Sequence, residues 1–358
     1  MSTPTEADTD RTTVGALLTN LSLSPRHYVA LLVVLGLASA PLWLGTLTLL
    51  QMMSAFYFIM FVISWDFVSG YTDQVSFGHT FFFAIGGYTS VILNLELGLP
   101  PLVGIVVAIV LTSIAGVLYA IPALRIGGHY LALFTLMPPL ILGQLFIMFS
   151  DIFGGTRGLP TPDPLLQVGD FATTALANYF LALGILLLIF AISFVITRSD
   201  TGKIFKAIRE DKYVVSASGL NPAKFKIFAM VVSAALAGFA GAMFAHSPVG
   251  SATPGQLLEL TIIIDILLAS ILGGVGTIVG PAVGGFIFWW ARQLSDNIEW
   301  IVPGLDVPFT RINLIVFYVL TLLIMLFIPR GIFPVLLDFG RSIWARITGE
   351  SSDSSLDG

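Results

Sequence analysis

Few residues in this 358-residue chain could do chemistry. Two carboxylates, Asp66 and Asp265, stand inside apolar runs, and an ionisable group at membrane depth is a functional candidate by default. Asp265 has two open readings: pairing with a cationic group or a distant Arg, or a protonated carboxyl bonded to backbone. His79 closes the stretch Gly70-Tyr-Thr-Asp-Gln-Val-Ser-Phe-Gly-His79, where Gln74, Ser76 and His79 interrupt the hydrophobic pattern. Taken alone, His79 reads as a helix contact bonded to neighbouring backbone. Taken with its neighbours, it marks non-helical backbone, which survives at membrane depth only against protein or a water-filled cavity. Thr201-Gly202-Lys203 has the look of a phosphate loop, but Thr197 holds the place of the first Gly and Ile204 that of the magnesium-binding Ser/Thr. Gly273-Gly-Val-Gly-Thr-Ile-Val-Gly-Pro-Ala-Val-Gly-Gly285 lacks the strand and βαβ setting of a dinucleotide loop. Gly276, Gly280 and Gly284 instead recur every four residues, a smooth stripe for close helix packing beside a tight turn. With no Cys, thiol catalysis, disulfides and Cys-ligated zinc are excluded. The remaining polar groups form neither a nucleophile pair nor a metal cluster, so no enzyme activity, metal or cofactor is expected.

Such residues need a scaffold, and composition names its solvent. The chain is 56% hydrophobic and 10% charged, against roughly 25% charged in a soluble domain. A net charge of −5 gives no reason to expect nucleic acid as a partner. A bilayer-crossing helix needs about 20 apolar residues. Ten runs approach that: 28–50, 52–69, 76–95, 101–121, 130–149, 179–197, 227–245, 259–272, 277–291 and 312–328. The eighth is short, to be tilted, broken or extended upstream. Pro138 and Pro139 should break the fifth near its middle. The fold class is an all-α integral membrane protein, a polytopic bundle of about ten transmembrane helices.

Lys and Arg set orientation. Arg198, Lys203, Lys206, Arg209, Lys212, Lys224 and Lys226 mark residues 198–226 as cytoplasmic. Counting spans outward places both termini inside, with Arg11, Arg26, Arg125, Arg330, Arg341 and Arg346 also inside. Arg157, Arg292 and Arg311 fall outside. The expected parts are a polar tail at 1–27 with no signal-peptide pattern, the bundle at 28–334 and a C-terminal tail at 335–358. The tail ends Met1 to Asn20 and Glu350 to Gly358 read as disordered. The external loop 150–178, rich in Gly and Pro, reads as a structured cap or a flexible loop, too short for an enzyme domain.

In the basic loop, Ile204, Ile208 and Val215 recur at helical spacing. Ser199 or Thr201 can cap the start, and Gly219 and Pro222 can end it. One or two amphipathic helices lying across the bundle ends follow. They serve either as an anchor at lipid headgroups or as a docking element, with small Ala217 and Gly219 allowing close approach and Arg209, Glu210 and Asp211 fixing register. Ser199, Gly202, Lys203, Ala207, Ile208, Arg209, Glu210, Asp211 and Gly219, followed by Ser233-Ala-Ala-Leu-Ala-Gly-Phe-Ala-Gly-Ala242, resemble the coupling segment and next span of LivM-type permeases of branched-chain amino acid importers. The stretch Gly70 to Tyr88 resembles the same family, with Asp73 in place of a Gly and Asp66 where Asn is usual. The glycine stripe matches too. Gly127-Gly-His-Tyr-Leu-Ala-Leu-Phe-Thr-Leu136 also matches, but Met137-Pro-Pro-Leu140 then departs from it, and Leu140 stands where a Glu is common. Phe153 to Pro160 resembles an external motif, with Arg157 replacing an Asn.

The resemblance implies a non-catalytic permease subunit in a prokaryotic cell membrane. It implies a second homologous permease, two cytosolic ATP-binding subunits, an extracytoplasmic substrate-binding protein and membrane lipid as partners. It places ATPase coupling at Gly202, Lys203, Arg209, Glu210, Asp211, Ala217 and Gly219. Gln74, Ser76, Gly78, His79, Tyr88, Thr135 and Asp265 become candidates for the translocation path. Two rival readings stand beside it: a urea or short-amide permease of related type, and an ion-coupled secondary transporter using Asp66 or Asp265. The second lacks the paired broken helices expected of that class.

Overall fold

The computed structural model describes residues 25–126, 129–298, 301–302, 307–328 and 331–335. The outer parts of both expected tails, with Arg11, Arg330, Arg341 and Arg346, and the pair Gly127 and Gly128 lie outside these. An N-terminal unit ending at Leu49 holds an apolar helix, α1 (Pro25–Ser39), and a 3-10 turn at Ala40–Leu42. Ala40 O there accepts from the N–H groups of Trp43 and Leu44.

The second unit begins at Leu50, within α2 (Thr46–Thr72). It continues through α3 (Thr80–Leu97), α4 (Pro101–Ala123), α5 (His129–Met148) and α6 (Phe171–Arg198). Then come α7 (Asp200–Ala217), α8 (Pro222–Ala245), α9 (Leu260–Gly273), α10 (Val279–Asp296) and α11 (Asn313–Phe327). Strand structure among the described residues is one antiparallel pair, β1 (Ile301–Val302) with β2 (Val307–Pro308). Each of the ten apolar runs contains helix, but the expected turn between the first two, at 50–52, falls instead at 40–45: α1 ends at Ser39 and α2 starts at Thr46 and runs unbroken through Met52. The basic loop forms α7. Among the described residues, seven segments are long and apolar enough to cross a membrane by length and composition: α2 to α6, α8, and Pro254–Gly273, which ends in α9. The eighth run is thus both broken and extended upstream, by the turn Pro254–Leu257. The chain is a multi-pass all-α membrane protein.

Helices α2, α3 and α8 are the most enclosed and α5 the least. Leu102, Val106, Val110, Ile114, Leu118 and Ile121 leave an exposed aliphatic strip on α4, as expected where the solvent is itself apolar. With lipid no poorer a solvent than leucine, helices associate through close packing of small residues. A methyl on Gly86 of α3 would meet the carbonyl of Gly238 in α8, and one on Gly241 the carbonyl of Phe83. Gly116 of α4 fits against Ala234 in the same way.

The two prolines do not break α5, which runs through Pro138 and Pro139. Pro139 lacks an N–H, so the carbonyl of Thr135 has no donor from the next turn. The Tyr119 hydroxyl supplies one at 3.0 Å. A freed acceptor with a side-chain donor is the usual way membrane helices accommodate proline.

The loop after α5 is a structured cap. Leu159 N–H donates to Ala252 O (2.9 Å). Asn94 and Asp163 exchange two bonds, Asn94 Nδ2 to Asp163 Oδ2 (3.0 Å) and Asp163 N–H to Asn94 Oδ1 (2.9 Å). His246 Nδ1 donates to Asp163 O (2.7 Å), which leaves Nε2 to accept from Ser90 Oγ (2.8 Å). Burial holds this imidazole below its ordinary pKa, consistent with the neutral tautomer those partners require.

Substituting Gly86→Ala should lower the thermal midpoint of the purified protein in detergent, by an overpacking cost of about 1–3 kcal/mol. Gly184 in α6 has open space at its Cβ position. Gly184→Ala should leave the midpoint unchanged or raise it by roughly 0.5–1 kcal/mol of helix propensity. Equal effects at the two positions would contradict the packing account.

Candidate functional site

Residues 73–79, between α2 and α3, are not helical, so their backbone groups need other partners. Trp65 Nε1 donates to Ser76 O (2.7 Å). Ser69 Oγ donates to Gln74 O (3.0 Å) and accepts from Ser76 N–H (3.3 Å). Phe77 N–H reaches Thr135 Oγ1 (3.0 Å), and Gly78 N–H reaches Ser76 Oγ (3.3 Å). Tyr119 spends its proton on Thr135 O, so Ser76 Oγ is the donor in its 3.2 Å contact with Tyr119 Oη. A methyl on Gly78 would run into Thr135 O. Gln74 turns inward, with Nε2 on Thr72 Oγ1 (3.0 Å). Gln74, Ser76, Gly78 and Thr135 therefore lie together at one knot, and the His79 side chain turns away from it.

His79 is fully buried but bonds to hydroxyls rather than backbone. Ser64 Oγ donates to Phe61 O, and Ser233 Oγ donates to Ser64 O. Both hydroxyl protons being used, His79 Nε2–H must be the donor to Ser64 Oγ (3.2 Å) and Ser233 Oγ (3.3 Å). Tyr88 lies deeper in α3, its ring 3.9 Å from that of Phe146, its hydroxyl buried and unpartnered among the described residues.

Asp265 takes the pairing reading. It forms an ion pair with Arg292 of α10 and accepts from Tyr318 Oη of α11 at 2.7 Å. The carboxylate fastens three helices and lies apart from the knot.

The second convergence joins α7 to the bundle. Arg209 Nη1 donates to Gly70 O at the end of α2 (2.8 Å). Beside it, fully buried Asp66 accepts at Oδ1 from Gly276 N–H (2.8 Å) and Ser270 Oγ (3.2 Å). Gly276 lies in the α9–α10 turn at φ +79°, and a methyl there would meet Arg209 Nη1 and Gly70 O. The glycine stripe thus divides. Gly280 and Gly284 sit in α10 against Gly273 and Ala269, while Gly276 belongs to the turn. Asp73 adopts φ +55°, a left-handed geometry that glycine takes without steric cost. It is exposed, whereas Asp66 is buried against the turn, so the two carboxylates sit in different settings.

Helix α7 is two halves. Asp211 leaves helical geometry (φ −156°, ψ 106°) and its Oδ1 accepts from Tyr213 N–H (2.7 Å) and Val214 N–H (3.3 Å), capping the second half. Its part is therefore to start a helix, while Arg209 alone of the expected trio grips the bundle and Glu210 is exposed. Ser199, expected as a cap, turns its hydroxyl back to Ile196 O. Gly202 seals the α6–α7 corner, since a methyl there would strike Thr197 O. Lys203 pairs with Asp200 (2.9 Å), both exposed. The pairing holds that carboxyl below and the amine above their ordinary pKa values, an arrangement of little energetic weight in water. Gly219 has open space around it and φ +86°. Its glycine is required by backbone conformation at the helix end, and among the described residues no neighbour makes a close approach to it. Ala217 is exposed. Tyr213 (74% exposed) and Val214 (65%) form an apolar tip on the second half. Sequence spacing did not single them out, because helical periodicity marks the buried face and the break at Asp211 resets the phase.

The assembly is that of a multi-pass membrane permease: a charge-poor bundle with broken backbone inside it and a basic amphipathic helix fastened across one end. The chain belongs to the family described as branched-chain amino acid transport system / permease component, which it matches over residues 47–328. It is 29% identical to the high-affinity branched-chain amino acid transport system permease protein LivM of Escherichia coli (strain K12), over 78% of this chain and 68% of that one. It is 26% identical to the probable LivM of Methanocaldococcus jannaschii, over 71% of this chain and 78% of the relative. The permease protein BraD of Pseudomonas aeruginosa is 26% identical, over 77% and 91%. No solved structure matches the chain.

An asparagine at position 66 would present the same acceptor oxygen to Gly276. Asp66→Asn should therefore unfold in detergent within about 1 kcal/mol of the parent, whereas Asp66→Ala strands a buried N–H and should cost about 1–3 kcal/mol. Denaturant titration followed by tryptophan fluorescence distinguishes these outcomes.

Proposed function

We propose that this chain is the permease subunit of an ATP-driven importer of branched-chain or related small amino acids, with α7 as the element that receives motion from its motor. In this reading residues 28–334 are the permease domain, flanked by cytoplasmic tails at 1–27 and 335–358, with both termini inside a prokaryotic cell membrane. The positive-inside rule supports that orientation: Arg125, Arg198, Lys203, Lys206, Arg209, Lys212, Lys224 and Lys226 all lie at or beside the α7 end of the helices. A second homologous permease, two cytosolic ATP-binding subunits and an extracytoplasmic binding protein complete the machine. Relatives named both LivM and LivH match this chain, as expected if two homologous permeases pair. ATP hydrolysis belongs to the partner chains, and this subunit is non-catalytic.

The observation that carries the reading is Arg209. An anchor resting on headgroups has no need to reach into the bundle, yet this side chain crosses from α7 to Gly70 O and packs on the Gly276 turn. Displacement of α7 therefore acts on α2 and on the α9–α10 hairpin together. Tyr213 and Val214, exposed on the far half, are the surface offered to an ATPase groove. Gly202 and Gly219 shape the two ends of the element, exposed Lys203, paired with Asp200, and exposed Glu210 face outward to meet the motor, and Ala217 leaves the approach uncluttered.

In cells carrying the whole importer, Arg209→Ala should reduce uptake of labelled leucine tenfold or more, on the order of one lost charge-assisted hydrogen bond, with membrane abundance unchanged. The double change of Tyr213 and Val214 to Ser should abolish co-purification of the ATP-binding subunits. Undiminished leucine uptake in both variants would refute the coupling role, and uptake of urea in place of leucine would replace the substrate.

A further inference from the structure

A cavity of about 570 Å³ opens beside the break in α7, within the size range of small-molecule sites. Helix α7 lines it from Ile208 to Tyr213. The other walls come from Asp73 and Gln74, the end of α4 at Ala123 and Leu124, Leu131 of α5 and the start of α8. Part of this lining is aliphatic: Ala123, Leu131 and Ile208 are buried, and Leu124 is half-buried. The charged lining is balanced, with Arg209, Lys212 and Lys226 against Asp73, Glu210 and Asp211. Three of these groups are already engaged. Arg209 holds Gly70 O, Asp211 caps the second half of α7, and the Lys212 ammonium lies 5.2 Å from the centre of the Tyr213 ring. The side chains of Asp73, Glu210 and Lys226 have no hydrogen bond or ion pair among the described residues. Lys226, half-buried near the start of α8, is within electrostatic reach of Asp73 and is not paired with it.

An anion in this cavity would meet the carboxylates, and a cation the basic groups. A small zwitterion answers both, and the aliphatic lining suits a branched alkyl group. We infer that the cavity is a site for a free aliphatic amino acid on the α7 side, and that its occupancy holds α7 in its seat. The carboxylate goes to Lys226, where the positive end of α8 adds to the attraction. The ammonium goes to Asp73, and the side chain packs on Leu124, Leu131 and Ile208. Asp73 itself supports the assignment. Its backbone, at φ +55°, favours glycine, yet the position carries a carboxylate that nothing in the described residues pairs. The inference rests on the permease reading above and adds a regulation to it: imported amino acid, accumulating on the cytoplasmic side, slows its own import. The occupant touches α7 and also the ends of α4, α5 and α8. Displacing α7 parts these walls, so the ligand binds the seated form more tightly, and a ligand shifts an equilibrium by that difference in affinity.

The full chain in phosphatidylglycerol nanodiscs tests the site without a motor. Labelled leucine should bind saturably and be displaced by isoleucine and valine. Isocaproate, which lacks the amine, and isoamylamine, which lacks the carboxylate, should each compete about tenfold less well, having given up one charge-assisted contact. K226Q and D73N should each weaken leucine binding about tenfold for the same reason, and asparagine keeps the left-handed backbone at position 73. Leucine should slow hydrogen exchange over residues 212–217 about fivefold in the parent, as binding to the seated form requires, and not in K226Q. In proteoliposomes of the assembled importer, with ATP in the lumen and binding protein outside, unlabelled lumenal leucine should slow the initial uptake of labelled leucine. K226Q and D73N should keep the parental rate with an empty lumen and lose this sensitivity. Absence of saturable binding, isocaproate binding as well as leucine, or parental affinity in both variants would overturn the inference. Displacement by glycerophosphoethanolamine at lower concentrations than by leucine would make this a lipid-headgroup site and overturn it too, as would uptake indifferent to lumenal leucine. If the parent imports no leucine from an empty lumen, the substrate assignment above fails, while binding and exchange in the nanodisc still decide the site.

Discussion

Every backbone N–H and C=O inside a bilayer must find its partner in protein, because the surrounding hydrocarbon offers none. Residues 73–79 break helical geometry between two apolar helices and so come under that constraint directly. The protein meets it with side chains. An indole from α2 and the hydroxyls of Ser69, Ser76 and Thr135 replace the missing helical bonds, and the phenol of Tyr119 does the same for Thr135 O in α5. The surrounding sequence follows from that requirement. Gly78 must lack a side chain because Thr135 O occupies the space, and Tyr119 must carry its hydroxyl because Pro139 has taken a donor away from the same carbonyl. Two features that look unrelated along the chain, a double proline and a distant tyrosine, are one device.

The same economy governs how helices meet. Glycine carbonyls and Cα positions do the packing where α3 crosses α8 and where α10 folds back on α9. Hydroxyls are spent locally on carbonyls three or four residues back, as at Thr112 and Thr197. Of the two buried carboxylates, Asp265 meets Arg292 and Tyr318, while Asp66 meets the Gly276 turn through one oxygen and its other oxygen has no partner among the described residues. Removing one partner of a buried ion pair is strongly destabilising, so Asp265 works as a fastener within the bundle.

Much of this was legible in the sequence, because apolar runs, Lys and Arg placement and glycine spacing act locally. Helix appeared in every one of the ten runs, though the first break lies at 40–45 rather than at 50–52, and the polar stretch from Gln74 to His79 did mark the broken backbone. Three things were not legible. The continuity of α5 through Pro138 and Pro139 depends on a donor more than fifteen residues upstream, which no local propensity contains. The partner of Asp265 could be named only as a distant Arg, since the fold decides which one reaches it. The split of α7 at Asp211, whose carboxylate caps the second half, was the third. Gly219 was read as permitting close approach. Its positive φ is a sufficient reason for glycine, and a sequence does not separate the two causes.

The arrangement also ties α7 to the non-helical stretch 73–79. Arg209 holds the carbonyl of Gly70, and the residue before it, Ser69, holds both Gln74 O and Ser76 N–H. From α7 to the Tyr119 knot the connection is therefore two adjacent residues of α2, Gly70 and Ser69, with Gln74 braced on Thr72. Packed interiors respond to force by switching between discrete arrangements rather than by deforming smoothly. A short strut of this kind joins α7 to the residues of the knot, and the hairpin at Gly276 is pressed against the same arginine. A helix that merely rested on the bundle would have to move whole spans to reach those residues; one that grips the residue next to Ser69 does not.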